Sequence, residues 1–315
     1  MSFQQILDMY RAKAWNEHDK GERFEMLMKR FLLSYPIYEN ELQTVWLWKE
    51  FPYRKDFGGS DLGIDLVAYT VNGEYWSIQC KFYDDNTNIN VDDISHFIAN
   101  SNRKFLDGNG QTKNFSLCLW IDTKSSFNKN AEKLIQNQNI EFKRISFFDL
   151  DNAQLDWDKL AKGESGKTVQ TSKKQPREHQ KIAIAEAQKY FKDHERGKLI
   201  MACGTGKTYT ALKIMEQQTN NNGLALFLVP SIALLSQTLK AWLNDTDKVI
   251  YPVCICSDAS SSRIKNDDDD MNIADLPFRA TTDVNNAIFQ MRQRLKQQQS
   301  IGGGYNSNFF YISIY

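Results

Sequence analysis

A glycine-containing turn in the second half of the chain constrains the fold more than any other feature. The turn reads Met201-Ala202-Cys203-Gly204-Thr205-Gly206-Lys207-Thr208; it follows an apolar stretch at 198–201 that predicts a strand, and it precedes a predicted helix. Backbone amides of such a turn can approach a phosphate closely, and a helix N-terminus favours negative charge. In this arrangement Lys207 contacts the β- and γ-phosphates while the Thr208 hydroxyl holds Mg²⁺. The alternative is an ordinary glycine turn before a helix, but the order of strand, turn and helix favours nucleotide binding.

The residues on either side of this turn alternate between helical and strand patterns. Helices are predicted at 178–194, from 207 onward and at 232–243, and strands at 198–201, 224–229 and 249–255. Such alternation is typical of a parallel α/β domain. We place this domain at residues 176–315.

The first 150 residues form a separate pattern. Apolar residues recur at helical spacing from 21 to 34, and VDDISHFIANSNRKF (91–105) also predicts a helix. β-branched and aromatic residues predict strands at 44–48, 64–70 and 74–82, and a buried central strand at 115–121. Residues 151–175 contain few large apolar side chains, so we interpret them as a linker.

Two of the predicted strands place polar side chains on a shared face. Alternation assigns one face to apolar residues, namely Ile64, Leu66 and Ala68 on the first strand and Trp76, Ile78, Cys80 and Phe82 on the second. Asp65 then lies on the opposite face with Gln79 and Lys81. A two-residue turn would set Asp65 opposite Cys80, whereas a three-residue bulged turn with Gly73 in the left-handed conformation sets it opposite Gln79. We therefore predict the bulged turn.

This polar cluster suits the hydrolysis of a phosphodiester. The reaction needs a hard cation that polarises the phosphate and activates water, and carboxylate and amide oxygens bind such a cation. We expect Asp65 and Gln79 to supply oxygens, Lys81 to stabilise the attacking hydroxide or the developing charge, and Glu25 or Glu22 to add a carboxylate. The alternative is that Asp65 caps a turn and Lys81 is a solvated strand residue.

Three short motifs follow the order found in PD-(D/E)xK nucleases: Phe24-Glu25, Gly63-Ile64-Asp65 and Gln79-Cys80-Lys81. Over about residues 15–150 the chain resembles the Mrr-like restriction branch of that superfamily, in which glutamine replaces the glutamate that is usual elsewhere. The resemblance implies a restriction-endonuclease-like mixed α/β sheet over residues 1–150. It also implies a catalytic set of Asp65, Gln79, Lys81 and Glu25, of which Asp65, Gln79 and Glu25 bind Mg²⁺.

The second half resembles superfamily 2 helicases. Residues 175–180 are similar to their R-x-x-Q element, in which Gln180 would contact the adenine of ATP, and residues 228–237 resemble motif Ia, in which Ser231 and Gln237 would contact DNA. The resemblance implies a partial RecA-like lobe that binds Mg²⁺ and ATP through Gln180, Gly204, Thr205, Gly206, Lys207 and Thr208. No Asp-Glu dipeptide occurs in the chain. We therefore expect an incomplete motor that does not hydrolyse ATP on its own.

The order of nuclease and motor resembles the N-terminal portion of single-chain restriction–modification enzymes of the type ISP and type I/III-like kinds. The resemblance implies a Mg²⁺-dependent restriction-type DNA endonuclease joined to an ATP-binding helicase lobe. DNA is then the partner, and a second copy of the chain is a candidate partner for double-strand cleavage. Two alternatives stay open: a non-catalytic DNA-binding or defence module, and a nuclease-helicase of DNA repair.

Composition limits where such a protein works. The 39 basic residues balance the 39 acidic ones, so any DNA contact must be local. The sequence has no bilayer-length apolar run, no signal peptide and no cysteine pair at zinc spacing, so we expect a cytoplasmic protein with reduced thiols and no membrane partner. Three successive glycine codons can form a guanine tract, and we hypothesise a frameshift at Gly302–Gly304 that truncates the motor.

Overall fold

A computed structural model describes residues 1–58, 62–84, 87, 89–125, 127, 129–135, 138–219, 223–255, 280–300 and 307–314. The chain divides into two compact units, Met1–Thr171 and Ser172–Tyr315. The glycine run Gly302–Gly304, where we hypothesise a frameshift, lies outside the described residues. Among the described residues, no helix is both long and apolar enough to cross a membrane.

The first unit is built on a mixed six-stranded sheet. Its strands are β1 (Leu42–Leu47), β2 (Leu66–Thr70), β3 (Tyr75–Lys81), β4 (Lys104–Leu106), β5 (Thr112–Asp122) and β6 (Glu141–Ile145). The order is β1-β2-β3-β5-β4, and β6 also pairs with β5. The pairs β3–β5 and β5–β6 are parallel, whereas β1–β2, β2–β3 and β4–β5 are antiparallel. The predicted mixed α/β sheet is therefore confirmed.

Seven helices accompany this sheet in the part of the first unit that the structure describes. They are α1 (Phe3–Lys13), α2 (Glu17–Leu32), α3 (Pro36–Glu39), α4 (Val91–Ser101), α5 (Lys129–Ile135), α6 (Phe147–Asp151) and α7 (Trp157–Ala161). Short 3₁₀ turns lie at Trp48–Glu50, Arg54–Phe57 and Gly166–Val169. The side chains of α2 pack against β1 and β3, while Ile94 and Phe97 of α4 belong to the cluster that contains Val67 and Trp120. Strand residues are buried on both faces because helices supply apolar side chains to both.

The β2–β3 hairpin has the predicted register. Leu66 pairs with Ile78 and Ala68 with Trp76, and this register extends to place Asp65 opposite Gln79. The turn is the three-residue bulged type, since Thr70 N donates to Glu74 O at 2.9 Å and Gly73 has φ +80. One detail of the prediction is wrong. Ile64 precedes β2, so strand alternation does not govern it, and it packs in the cluster with Val67 on the other face.

The segment predicted as a linker is largely folded. Residues 151–171 belong to the first unit, where α7 buries Trp157 and Leu160 and the following 3₁₀ turn buries Val169. The Trp157 ring lies 4.5 Å from that of Phe3 and 5.7 Å from that of Phe31. A few apolar residues are enough to fold this segment because they pack on helices that are distant in sequence.

The second unit carries a parallel sheet. Its strands are β7 (Leu224–Val229), β8 (Val249–Ile255), β9 (Ala280–Thr281) and β10 (Ser307–Ile314), in the order β7-β10-β8-β9. Its helices are α8 (Glu178–Tyr190), α9 (Lys207–Gln218), α10 (Ile232–Asp245) and α11 (Val284–Ser300). Every strand pair is parallel. This arrangement confirms the predicted RecA-like α/β class.

The strand predicted at 198–201 is absent from the structure. Residues 196–202 have no regular secondary structure, and Leu199 and Ile200 are 50% and 79% exposed. A strand forms only where a neighbour accepts its backbone hydrogen bonds, and no described strand pairs with this segment. The helix predicted to start at Lys207 is nevertheless present as α9.

Candidate active site and nucleotide-binding loop

The structure brings Asp65 and Gln79 into direct contact. Gln79 Nε2 donates to Asp65 Oδ2 at 2.7 Å, and the backbone N–H of Cys80 donates to the same oxygen at 2.7 Å. Trp48 N also donates to the backbone carbonyl of Asp65 at 2.7 Å, which fixes the start of β2 against the end of β1. The Asp65 carboxylate therefore accepts hydrogen bonds from β3 across the hairpin. It does not act as the cap of a local turn, which was the alternative interpretation.

A close backbone approach holds Gln79 in place. Gly63 has φ +65, and a methyl group at its Cα would lie 2.9 Å from Gln79 Oε1. Glycine is suited to this position both because the left-handed conformation disfavours a Cβ and because the amide oxygen fills the space. Gln79 is itself buried, with 5% of its surface exposed. The Gly63-Ile64-Asp65 motif thus positions the Gln79 amide as well as the Asp65 carboxylate.

Lys81 extends from the end of the same strand. Its side chain is 32% exposed, and Nζ lies 3.1 Å from Asp93 Oδ2 in the first turn of α4. Residues two apart on a strand point to the same face, so Lys81 and Gln79 share the face that α4 covers. The sequence interpretation missed this role of Asp93. The adjacent acidic residues Asp92 and Asp93 gave a signal, but it predicted only a helix N-terminus.

Glu25 lies on α2, whose side chains pack against β3. It is half-buried. Burial raises the pKa of the Cys80 thiol well above its usual range, and the charges of Asp65 and Glu25 raise it further. Both carboxylates therefore act electrostatically on the residue between Gln79 and Lys81. The thiol is held protonated and inert, as expected for a buried cysteine.

The donor set at this strand edge suits a hard divalent cation. Asp65 offers a carboxylate and Gln79 an amide oxygen, both of which Mg²⁺ accepts alongside several water molecules. Among the described residues, no three histidine, cysteine, aspartate or glutamate side chains converge as a complete metal site. Gln79 Nε2, and not Oε1, faces Asp65, so the amide would have to turn before both oxygens could bind one cation.

The predicted nucleotide-binding loop of the second unit contains two glycines in the left-handed conformation. Gly204 and Gly206 have φ values of +75 and +82, and Gly206 caps the N-terminus of α9. The Thr205 hydroxyl donates to Ala202 O at 2.7 Å. Lys207 Nζ faces the carbonyl oxygens of Met201 and Ala202 at 3.4 and 3.3 Å. The long distances indicate that the ammonium group is only weakly held by the loop.

Two residues at the start of α8 form hydrogen bonds to this loop. Gln180 Nε2 donates to Thr205 O at 3.0 Å, and His179 Nε2 lies 3.0 Å from the same oxygen. Gln180 Oε1 accepts from Arg177 N at 2.8 Å. A methyl group on Gly206 would lie 2.3 Å from Gln180 Nε2. The predicted adenine-contacting residue is thus in direct contact with the predicted phosphate loop, whereas His179 was not predicted.

The segment that resembles motif Ia lies where β7 leads into α10. Ser231 is the N-cap residue of α10, and its hydroxyl accepts from Leu234 N at 3.2 Å. Gln237 lies two turns further along the helix and is exposed. The helix N-terminus and an exposed polar side chain are compatible with contact to a DNA phosphate.

Two family models match the chain and meet near the boundary between its units. A model described as restriction endonuclease matches residues 33–167. A model described as type III restriction enzyme, res subunit, matches residues 173–310. No curated protein matches the chain significantly.

Two solved structures are similar to the chain. The ATP-dependent type ISP restriction-modification enzyme LlaBIII, bound to DNA, is 28% identical over 98% of this chain, with a TM-score of 0.72. The chain spans 18% of the length of that enzyme. A nuclease-deletion mutant of the type ISP enzyme LlaGI, in complex with a DNA substrate mimic, is 35% identical over 44% of this chain and 13% of that protein, with a TM-score of 0.34. The chain thus joins an Mrr-like restriction nuclease domain to a helicase-type domain, in the fold of the type ISP restriction-modification enzymes.

Proposed function

We propose that the first unit is a Mg²⁺-dependent DNA endonuclease of the restriction type. The observation that carries the proposal is the contact of Asp65 with Gln79 at the strand edge from which Lys81 extends. This edge lies in the segment that the restriction endonuclease model matches. Carboxylate and amide oxygens can hold the cation that metal-assisted phosphodiester hydrolysis uses, and an ammonium group can stabilise the charge that develops at the phosphate.

We assign a role to each residue. Asp65 and Gln79 hold the cation, and Glu25 adds a carboxylate from α2. Bound Mg²⁺ would polarise the scissile phosphate and lower the pKa of a water molecule. The Lys81 ammonium stabilises the negative charge that develops at the phosphate, and its contact with Asp93 orients it.

Gln79 presents its amide in one of two orientations. In the structure Nε2 faces Asp65 and Oε1 faces Gly63. A half-turn of the amide group exchanges the two atoms at nearly constant shape. We infer that Gln79 turns in this way when a cation takes the place of the Nε2–H···Oδ2 hydrogen bond, because only the amide oxygen can bind a cation.

The second unit is proposed to bind ATP with Mg²⁺. Gly204, Thr205 and Gly206 would cradle the phosphates, Lys207 would contact the terminal ones, and the Thr208 hydroxyl would contact the cation. The weak contacts of Lys207 with the carbonyls of Met201 and Ala202 leave it available for such a phosphate. Gln180 would contact the adenine.

DNA is the proposed partner of both units, with Ser231 and Gln237 as contacts in the second. If one nuclease unit cuts one DNA strand, cleavage of both strands would need a second copy of the chain. The thiols of Cys80, Cys118 and Cys254 are buried, and the proposed location of the activity is the reducing cytoplasm.

Nicking of a supercoiled plasmid tests the nuclease assignment. The full chain with Mg²⁺ is expected to convert supercoiled DNA to the open circular form, and EDTA or Asp65→Ala is expected to abolish the conversion. Asp107→Ala is the matched control, because Asp107 also accepts backbone N–H groups, from Asn109 and Gln111, at a distance from the site. Equal nicking by wild type and Asp65→Ala would contradict the assignment.

The second candidate is a DNA-binding module that does not cut. It is favoured by the hydrogen bond from Gln79 Nε2 to Asp65 Oδ2, which occupies the carboxylate oxygen that a cation would need. It predicts DNA binding by the wild type with no nicking in either Mg²⁺ or Mn²⁺. A gel-shift measurement on the same protein preparation distinguishes it from the endonuclease.

A further inference from the structure

Trp242 of α10 contacts two parts of the second unit. It is buried, with 2% of its surface exposed, and it is the only tryptophan of residues 172–315. Its indole Nε1–H donates to the backbone carbonyl of Thr208 at 2.8 Å. Its ring lies 4.7 Å from that of Phe227 on β7. One side chain therefore joins the first turn of α9 to the strand that leads into α10.

These contacts lie between the two proposed binding sites of the unit. Thr208 follows Lys207 in the proposed phosphate loop. Phe227 lies near the end of β7, and the proposed DNA contact Ser231 follows it four residues later. Trp242 and Ser231 belong to the same helix, so a shift at the helix N-terminus also displaces the indole.

The C-terminal turns of α9 and α10 are joined as well. There the Thr246 hydroxyl donates to Glu216 Oε1 at 2.6 Å, and Lys213 Nζ donates to Asp245 O at 3.3 Å. Trp242 lies one turn before these residues, so its hydrogen bond to Thr208 O and the two contacts of Asp245 and Thr246 all attach the C-terminal part of α10 to α9. A tilt of α10 at Ser231 therefore acts on the indole through the same helix.

We propose that Trp242 is a positioning residue that couples DNA contact at the start of α10 to nucleotide binding at the loop. The proposal rests on the proposed nucleotide- and DNA-binding function of the second unit. A DNA phosphate at Ser231 would set the position of α10, and the indole N–H would transmit that position to the Thr208 carbonyl and the adjoining Lys207 and Thr208 side chains.

The test compares nucleotide affinity with and without DNA in the full chain. A fluorescent ADP analogue with Mg²⁺ is titrated against wild type and Trp242→Phe, each in the presence and absence of a short DNA duplex. In wild type the two Kd values are expected to differ. In Trp242→Phe the ratio of the two Kd values is expected to move toward one by about 2–10-fold, the range for loss of one buried hydrogen bond.

The control is Trp157→Phe. Trp157 is also buried, but its indole N–H has no hydrogen-bond partner among the described residues, and it lies in the first unit. Trp157→Phe removes no hydrogen bond of the indole N–H, and it is expected to give the same ratio of the two Kd values as wild type. A Trp242→Phe protein with the wild-type ratio would overturn the coupling role while leaving nucleotide binding intact. A wild type that binds no nucleotide would overturn the proposed function of the unit, and the coupling role with it.

A measurement on wild type alone covers the case in which Trp242→Phe does not fold. Tryptophan labelled with ¹⁵N gives one indole N–H signal per residue, and six of the seven tryptophans lie in the first unit. The signal that shifts on addition of Mg²⁺ and ADP is expected to shift also on addition of DNA alone. If no indole signal responds to both, the coupling role is wrong.

Discussion

Gly63→Ala tests whether the backbone at the candidate active site positions Gln79. An alanine at φ +65 bears a left-handed strain of about 1–2 kcal/mol. Its methyl group would also lie 2.9 Å from Gln79 Oε1, so the buried amide must move. That movement breaks its hydrogen bond to the charged Asp65, worth about 1.5–3 kcal/mol. The free energy of unfolding is therefore expected to fall by about 2.5–5 kcal/mol, and the rate of DNA nicking is expected to fall as well.

Gly58→Ala is the matched control. Gly58 has φ +83, but nothing lies within 4 Å of its added methyl group, so only the strain of about 1–2 kcal/mol is expected. The reduced entropy of the unfolded chain affects both variants equally and cancels in the comparison. Urea unfolding followed by tryptophan fluorescence reports mainly on the first unit, which holds six of the seven tryptophans. Equal losses of stability in the two variants would refute the positioning of Gln79 by Gly63.

Two further predictions concern single contacts. Gly206→Ala should weaken binding of a fluorescent ATP analogue more than Gly204→Ala does, because the methyl group at 206 also displaces Gln180 whereas the one at 204 meets no protein atom. Equal binding by the two variants would contradict this. Asp93→Asn should lower the rate of plasmid nicking by about 1.5–5-fold through loss of a partly exposed charge pair with Lys81. A larger effect on KM than on kcat would indicate a role in DNA binding and not in orienting Lys81.

The hairpin of the candidate site could be predicted from the sequence because its constraints are local. Alternation of apolar residues fixes which face Asp65 and Gln79 occupy, and Gly73 permits the bulged turn that sets them opposite each other. The contact of Lys81 with Asp93 could not be predicted in this way. It depends on where α4 packs on the sheet, and neither residue carries that information locally.

The predictions for two segments were wrong for the same physical reason: one predicted strand did not form, and one predicted linker is folded. Residues 198–201 have the composition of a strand, yet Leu199 and Ile200 are exposed because no described strand accepts their hydrogen bonds. Residues 151–171 have the composition of a linker, yet Trp157 and Leu160 are buried because α1 and α2 offer them an apolar surface. In both segments the tertiary partners decide the outcome over the local composition.

The central claim is that Lys81 acts chemically in DNA cleavage. Single-turnover cleavage of DNA by the full chain with Mg²⁺ measures it most directly, in wild type, Lys81→Ala and Lys113→Ala. Lys113 is the matched control because it is also a strand lysine with 32% of its side chain exposed and an aspartate partner, Asp107 at 3.6 Å. The account predicts a loss of about 10²–10³-fold in Lys81→Ala and a wild-type rate in Lys113→Ala. Cleavage by a folded Lys81→Ala protein at the wild-type rate would contradict it.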